Sequence, residues 1–598
     1  MSLPTAATRR TLVAGLAGAL ALMLAGCVAL PQGGPVQSGP RQEQVEQIGA
    51  PFDYSPDGPR ADATQLDVVG GFLLAMQATP LSTAVARQFL TDEASTRWVP
   101  EGSTVVYGSE SLEGQGKSVT VALTDTVQLD GRGEWLGDNT GGRGIQHRLR
   151  LVREAGEWRI TNPPDALVLP RTYFETRFEQ YFLYFFDKSG QILSPEPVYL
   201  PQGEQSSTLL VRGLLKGPAQ DLLGATRTFI PAKTELDDLS VLVSSNGTAE
   251  VPLSDEVLDL DDEDLGRVLG QLGWTLRQVP GVETMRITVD GSPLDVPGEG
   301  VDLDVQGWPE FDPSVNWASG ELFGIRDGRL VTLAGNEERR AEGLFGTKDY
   351  GLRSIAVDLP AEQVAGVSGD GDRVLVTPRS LETGQARVSR DADVVYSGAA
   401  DLLQPSWDIY GQVWLVDQRR EGATLAVVRS GVATELEAGG ITGERVNAFL
   451  ISRDGTRLVA VIAGEGRDRL VVARVMRRED GTVRGVSRVT LLPTGALGVS
   501  DIRDLAWRTP GSVALLTGPT PGLPQVVVAL IDGSSARGDA DVDAEIFGDE
   551  AARIVTSPAS GAPVYVGTTG RELFELTASG RWTGAGIEPG LGSPTFVG

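Results

Sequence analysis

Apolar and polar positions follow three different rhythms along this chain. Over residues 61–170, Val68, Val69, Phe72, Leu73 and Met76 recur at helical spacing. A second helix is predicted through Val85, Phe89 and Leu90, ending near Trp98 and Pro100. Alternation of period two then predicts strands over Ser103–Tyr107, Ser118–Val127, Gly144–Val152 and Trp158–Thr161. Asp130-Gly131 and Ala155-Gly156 read as hairpin turns between them. Helices followed by an antiparallel sheet predict an α+β domain.

The rhythm changes over residues 171–300. Tyr173, Phe174, Phe178, Tyr181, Phe182, Tyr184, Phe185 and Phe186 crowd one segment, which reads as a strand plus a docking arm. Core and inter-domain packing is the plain role for such rings, and a ligand platform is the other. Leu209, Leu210, Leu214 and Leu215 share a helix face that Gly217-Pro218 stops. Val241–Ser244 and Thr248–Val251 predict a hairpin around Asn246-Gly247. A helix from about Asp264 to Leu276 and a strand over Met285–Val289 complete the region.

Residues 314–598 show no clear long helix. Short strand pairs recur across Gly, Asp and Pro turns: Val364–Ser368 with Arg373–Val376, Leu402–Asp408 with Gln412–Val416, Val446–Ser452 with Arg457–Ile462, Leu505–Arg508 with Ser512–Leu516, and Ile554–Ser557 with Pro563–Gly567. A third strand often follows, as at Leu470–Val475 and Gln525–Ile531. A period of roughly 40 to 50 residues is the signature of a propeller, here of about six or seven blades.

The N-terminus carries a different signal. Arg9 and Arg10 precede a nearly wholly apolar run from Thr11 to Ala25, shorter than the roughly 20 residues that span a bilayer. The run ends Leu24-Ala25-Gly26-Cys27, and Cys27 is the only cysteine of the 598 residues. These four resemble a bacterial lipobox. The resemblance implies a signal peptide over residues 1–26, with Leu24, Ala25 and Gly26 read by the signal peptidase. It implies a diacylglycerol thioether on Cys27, with or without an N-acyl chain such as palmitate. Residues 27–60 then form a Gly- and Pro-containing tether. The expected location is the outer face of the cell membrane, held by lipid.

Composition narrows the partners. The formal charge of −28 becomes more negative once Arg9 and Arg10 are removed. Such a surface repels nucleic acid and anionic headgroups. No internal disulfide is available, and no second stretch reaches membrane-spanning length, so a soluble body is expected.

Candidate chemistry is sparse. His147 is the only histidine and reads as an exposed strand residue, so neither a catalytic triad nor a zinc site is expected. No nucleotide-binding loop is present. Gly369-Asp370-Gly371-Asp372 reads as a turn. The run Asp255, Glu256, Asp259, Asp261, Asp262, Glu263 and Asp264 lacks the EF-hand glycine and reads as a solvated helix entry. A carboxylate pair acting on glycans stays open among 80 acidic residues. The expectation is a protein without catalytic residues, cofactor or metal.

The order of parts resembles the actinobacterial LpqB lipoprotein family. Gly71-Phe72-Leu73 and Arg87-Gln88-Phe89-Leu90-Thr91 look like its N-terminal domain, for which a cone-shaped fold similar to nuclear transport factor two (NTF2-like) suits the element order. Leu183-Tyr184-Phe185-Phe186-Asp187 with Pro197-Val198-Tyr199-Leu200-Pro201 is the most specific feature. Leu214-Leu215-Lys216-Gly217-Pro218, Pro280-Gly281-Val282 and Val289-Asp290-Gly291 are similar to the α/β GerMN domain. The repeats look like the family's all-β propeller. Membership implies an accessory lipoprotein that binds the extracytoplasmic region of an MtrB-type sensor histidine kinase. That MtrAB-type system is linked to cell-wall metabolism and division. The alternatives are a binding protein for an envelope glycan or peptidoglycan fragment, and a carboxylate-dependent glycan hydrolase.

Overall fold

The computed structural model describes residues 54–137, 141–335, 337–380, 391–494, 499–518, 524–534, 544–545 and 551–598, with backbone alone at 544–545. Cys27, Leu24, Ala25 and Gly26 lie outside them.

The first helix spans Gln65–Ala75 because Thr64 and Asp67 cap each other's backbone amides, leaving Val68, Val69, Phe72 and Leu73 to face the core. The predicted second helix is two short ones, Ala84–Arg87 and Asp92–Arg97. The break has a cause. Phe89 O accepts from Ile160 N at 2.9 Å, Thr91 N donates to Ile160 O at 2.9 Å, and the Thr91 hydroxyl caps the next helix. The chain between the helices is therefore recruited by the sheet.

Two four-stranded sheets follow. The predicted Ser118–Val127 strand divides into Ser118–Thr124 and Val127–Asp130, with Asp125 between them at φ 52°. Three strands escape the periodicity: Ser109–Gln115, Trp135–Gly137 and Leu167–Pro170. Ser109–Gln115 is polar and almost wholly exposed, so it carries no alternation to read. Leu167–Pro170 pairs parallel to Ser103–Tyr107, so the sheets are not purely antiparallel.

The aromatic segment forms a helix, Arg171–Arg177, and then a long antiparallel hairpin, Phe178–Asp187 with Leu193–Pro201. The helix Asp262–Leu276 packs on this hairpin. Gln271, fully buried, donates to Tyr184 O at 3.0 Å and accepts from Phe229 N at 2.9 Å. Gln278, just past the helix, both donates to Phe182 O and accepts from Phe182 N, each at 2.8 Å. The same helix is the crossover between the parallel strands Thr248–Pro252 and Thr284–Val289, which makes the middle domain α/β. Asp261 caps it, accepting from Asp264 N at 2.8 Å, which accounts for part of the acidic run.

Among the described residues, the C-terminal region is a ring of six sheets, each of at least four strands. Leu322–Arg326 pairs with Gly592–Thr595, so the last strand completes the first blade from the inside. Of the five predicted strand pairs, four are the first and second strands of a blade. Val364–Ser368 with Arg373–Val376 is out of phase: these are the second and third strands, and Leu352–Val357 is the first. Gly369–Asp372 is a turn, with Gly371 N donating to Ser368 O at 2.9 Å.

Candidate functional site

The hairpin Phe178–Pro201 touches both flanking domains, and several deeply buried charges gather there. On one side is the Asp130–Glu134 turn. Gly133 N donates to Asp130 O at 3.0 Å within the turn, while its carbonyl faces the hairpin edge and accepts from Tyr199 N at 2.8 Å. At φ 89°, with a β-carbon that would sit 2.5 Å from the Tyr199 carbonyl oxygen, position 133 admits only glycine. Arg132 holds the turn together, at 2.7 Å from Asp130 and 2.8 Å from Glu134, and donates to Gly217 O at 3.1 Å.

On the other side is the propeller. Glu196, 4% exposed, accepts from Arg457 at 2.8 Å and from both terminal nitrogens of Arg474 at 3.0 and 2.7 Å. Arg457 is fully buried and also reaches Asp454 at 3.3 Å, the Ser194 hydroxyl at 3.1 Å and Pro195 O. Burial pulls its pKa down, against the attraction of Glu196. Asp187 closes the hairpin loop, accepting from the amides of Ser189, Gln191 and Ile192 and from the phenol of propeller Tyr410. Burial, with Asp187 beside it, raises the Tyr410 pKa. The Tyr410 ring in turn stacks under Arg477, whose guanidinium lies 4.3 Å from the ring centroid and 2.6 Å from buried Asp408.

Between these welds lies a cavity of about 660 Å³, lined by residues of all three domains. Its wall is aromatic: Trp135 lies 5.5 Å and Phe174 5.7 Å from the Tyr199 ring, and Phe174 lies 4.9 Å from Phe178. Tyr199 continues to the propeller, where its phenol meets Asp532 at 3.3 Å and the Ser534 hydroxyl. The aromatic segment is thus both core and a cavity wall. Glu134 sits near this junction with its pKa pushed up to about 7, chiefly by burial and then by the charge of Glu196.

The remaining predicted positions lie elsewhere. His147 is not exposed but half-buried, and burial pulls its pKa down. The alternation Ile145, His147, Leu149, Leu151 puts it on the inward face, while Gln146, Arg148 and Arg150 point out. Among the described residues no group of three or more His, Cys, Asp or Glu is placed to hold a metal, and no helix is long and apolar enough to cross a membrane. Sequence reading missed Glu196, Arg457, Arg474 and Asp187 as a set. The signal available was local: charged residues within otherwise apolar strands.

Helices on a pair of sheets, an α/β middle domain and a six-bladed ring define a multidomain protein that joins a GerMN-like domain to a β-propeller. Residues 58–175 match the profile of the lipoprotein LpqB N-terminal domain, residues 182–295 that of the sporulation and spore germination domain, and residues 328–542 that of the lipoprotein LpqB β-propeller domain. The chain belongs to the LpqB lipoprotein family. It is 28% identical to lipoprotein LpqB of Thermobifida fusca, over 92% of this chain and 93% of that one. It is 26% identical to lipoprotein LpqB of Cutibacterium acnes, over 87% and 88%. Among solved structures, the first GerMN domain of the sporulation protein GerM from Bacillus subtilis is 25% identical, covering 21% of this chain and 97% of that one at a TM-score of 0.18.

Proposed function

We propose that this lipoprotein is a non-catalytic accessory of an MtrB-type sensor histidine kinase. In this reading lipid on Cys27 tethers it to the outer face of the cell membrane, where it biases signalling linked to cell-wall metabolism and division. The observation that carries the reading is the junction. Buried charge pairs on the propeller side of one hairpin, and a backbone hydrogen bond from Tyr199 N to Gly133 O on its other side, join three domains through that hairpin, so a contact on any domain bears on the others. Tethering supplies effective concentration, so a weak contact suffices for occupancy. Modulation further requires tighter binding to one kinase state than to the other.

The test is co-purification from membranes of the intact lipoprotein with the kinase, beside a Cys27→Ala variant, followed by titration of the purified soluble body onto the kinase's outer domain. Association with the wild type, weakened on membranes by Cys27→Ala but retained by the soluble body at high concentration, supports the proposal. Absence of any association between the purified parts defeats it. Mass spectrometry of the amino terminus tests the anchor separately, since an unacylated Cys27 is incompatible with it.

A further inference from the structure

We propose that the central channel of the propeller is a binding pocket for a small carbohydrate, a mono- or disaccharide unit. This inference does not depend on the kinase partnership.

The innermost strands of all six blades surround a cavity of about 420 Å³, within the range of roughly 300 to 1,000 Å³ typical of small-molecule sites. The mouth is shaped by a repeated irregularity. In four blades the first strand carries an extra residue against its neighbour: between Leu352 and Ser354, Val446 and Ala448, Ile502 and Asp504, and Ala551 and Arg553. A bulge re-aims the side chain that follows it. Here those four side chains, Ser354, Ala448, Asp504 and Arg553, all fall on the channel lining.

The lining mixes donors and acceptors instead of favouring one sign. Arg353 pairs with Asp401 at 2.6 Å, and Arg553 lies 3.3 Å from Gln404 Oε1 and 3.9 Å from Asp504. Two hydroxyls in the lining are left over. Ser354 is 4% and Thr556 8% exposed, and neither hydroxyl oxygen has a hydrogen-bond partner among the described residues. Buried polar groups in proteins are almost always partnered, so two such hydroxyls in one cavity point to a ligand. Paired carboxylates and guanidiniums beside free hydroxyls suit sugar hydroxyls, which donate and accept together. An inorganic anion is chiefly an acceptor, and would be repelled by Asp401 and Asp504.

The experiment is isothermal titration calorimetry on the intact chain. The probes are glucose, N-acetylglucosamine and N,N′-diacetylchitobiose, with inorganic phosphate as the contrasting anion. The expected result is saturable binding of at least one sugar at millimolar concentration or below. Ser354→Ala and Thr556→Val should each weaken it about three- to tenfold, the value of one neutral hydrogen bond. Because these hydroxyls have no protein partner, both variants should keep the wild-type Tm, which separates lost binding from lost folding. Ala448→Trp, which fills the mouth, should abolish binding. The proposal is overturned if no sugar binds, if phosphate alone binds, or if sugar binding is indifferent to all three substitutions.

Discussion

Replacing Glu196 with alanine tests the reading of the junction most directly. The carboxylate is 4% exposed and is the shared acceptor of Arg457 and Arg474, at 2.8 Å and 2.7 Å. Removing it leaves two guanidiniums facing each other, one of them fully buried. Breaking a buried pair by deleting one partner costs about 3–5 kcal/mol, most of it the desolvation of the charge left behind. Asp454 and Pro195 O still serve Arg457, which places the expected cost at the lower end, about 3 kcal/mol. That cost falls on the docked arrangement alone, because an undocked propeller lets both arginines hydrate. Differential scanning calorimetry should therefore show the variant unfolding in separated transitions, the earlier being loss of docking. A triple variant, Glu196→Leu with Arg457→Met and Arg474→Met, removes the charges together and should recover much of the loss. An unshifted, unsplit profile for Glu196→Ala would show that the ion pairs do not hold the domains together.

Two further outcomes follow from neighbouring groups. The Glu134 pKa is raised in the folded state from 4.5 to about 7, so its contribution is fully present below about pH 4.5 and is lost as pH rises through about 7. The loss amounts to about 3 kcal/mol; urea midpoints measured across that window should fall with rising pH in the wild type and flatten in Glu134→Gln. Tyr410→Phe keeps the ring under Arg477 but removes the donor to Asp187. It should cost about 1–3 kcal/mol, read as a lower denaturation midpoint, and a neutral result would mean that the loop amides alone satisfy Asp187.

Much of this architecture was readable where sequence neighbours determine it. The Gln65–Ala75 helix, the Asn246-Gly247 hairpin and the turn at Ala155-Gly156 depend on spacing and turn residues a few positions apart. The family likeness was carried by the same local strings. What escaped depends on partners far along the chain. Glu196 meets Arg474 across 278 positions, and nothing near either residue announces the other. His147 was assigned to the wrong face because its polar neighbours outweighed the period-two alternation that aligns it with Leu149 and Leu151. The repeat was recognised but its phase was not, since Val364–Ser368 and Arg373–Val376 look like any other strand pair. The channel lining was invisible for a related reason: a single extra residue at the start of a strand leaves the apolar pattern intact while turning the next side chain.

The pairing of Gly592–Thr595 with Leu322–Arg326 means that the first blade lacks its innermost strand until the other five blades have been synthesised. Five blades can assemble in order as they emerge, but the circle stays unlatched, with an unpaired strand edge, until Gly592–Thr595 arrives. Closing it brings together segments more than 260 positions apart, an entropic hurdle that makes latching a late and slow event. A chain delivered in order from its N-terminal side suits this assembly, because the ring shuts only once both partners of that pairing are present.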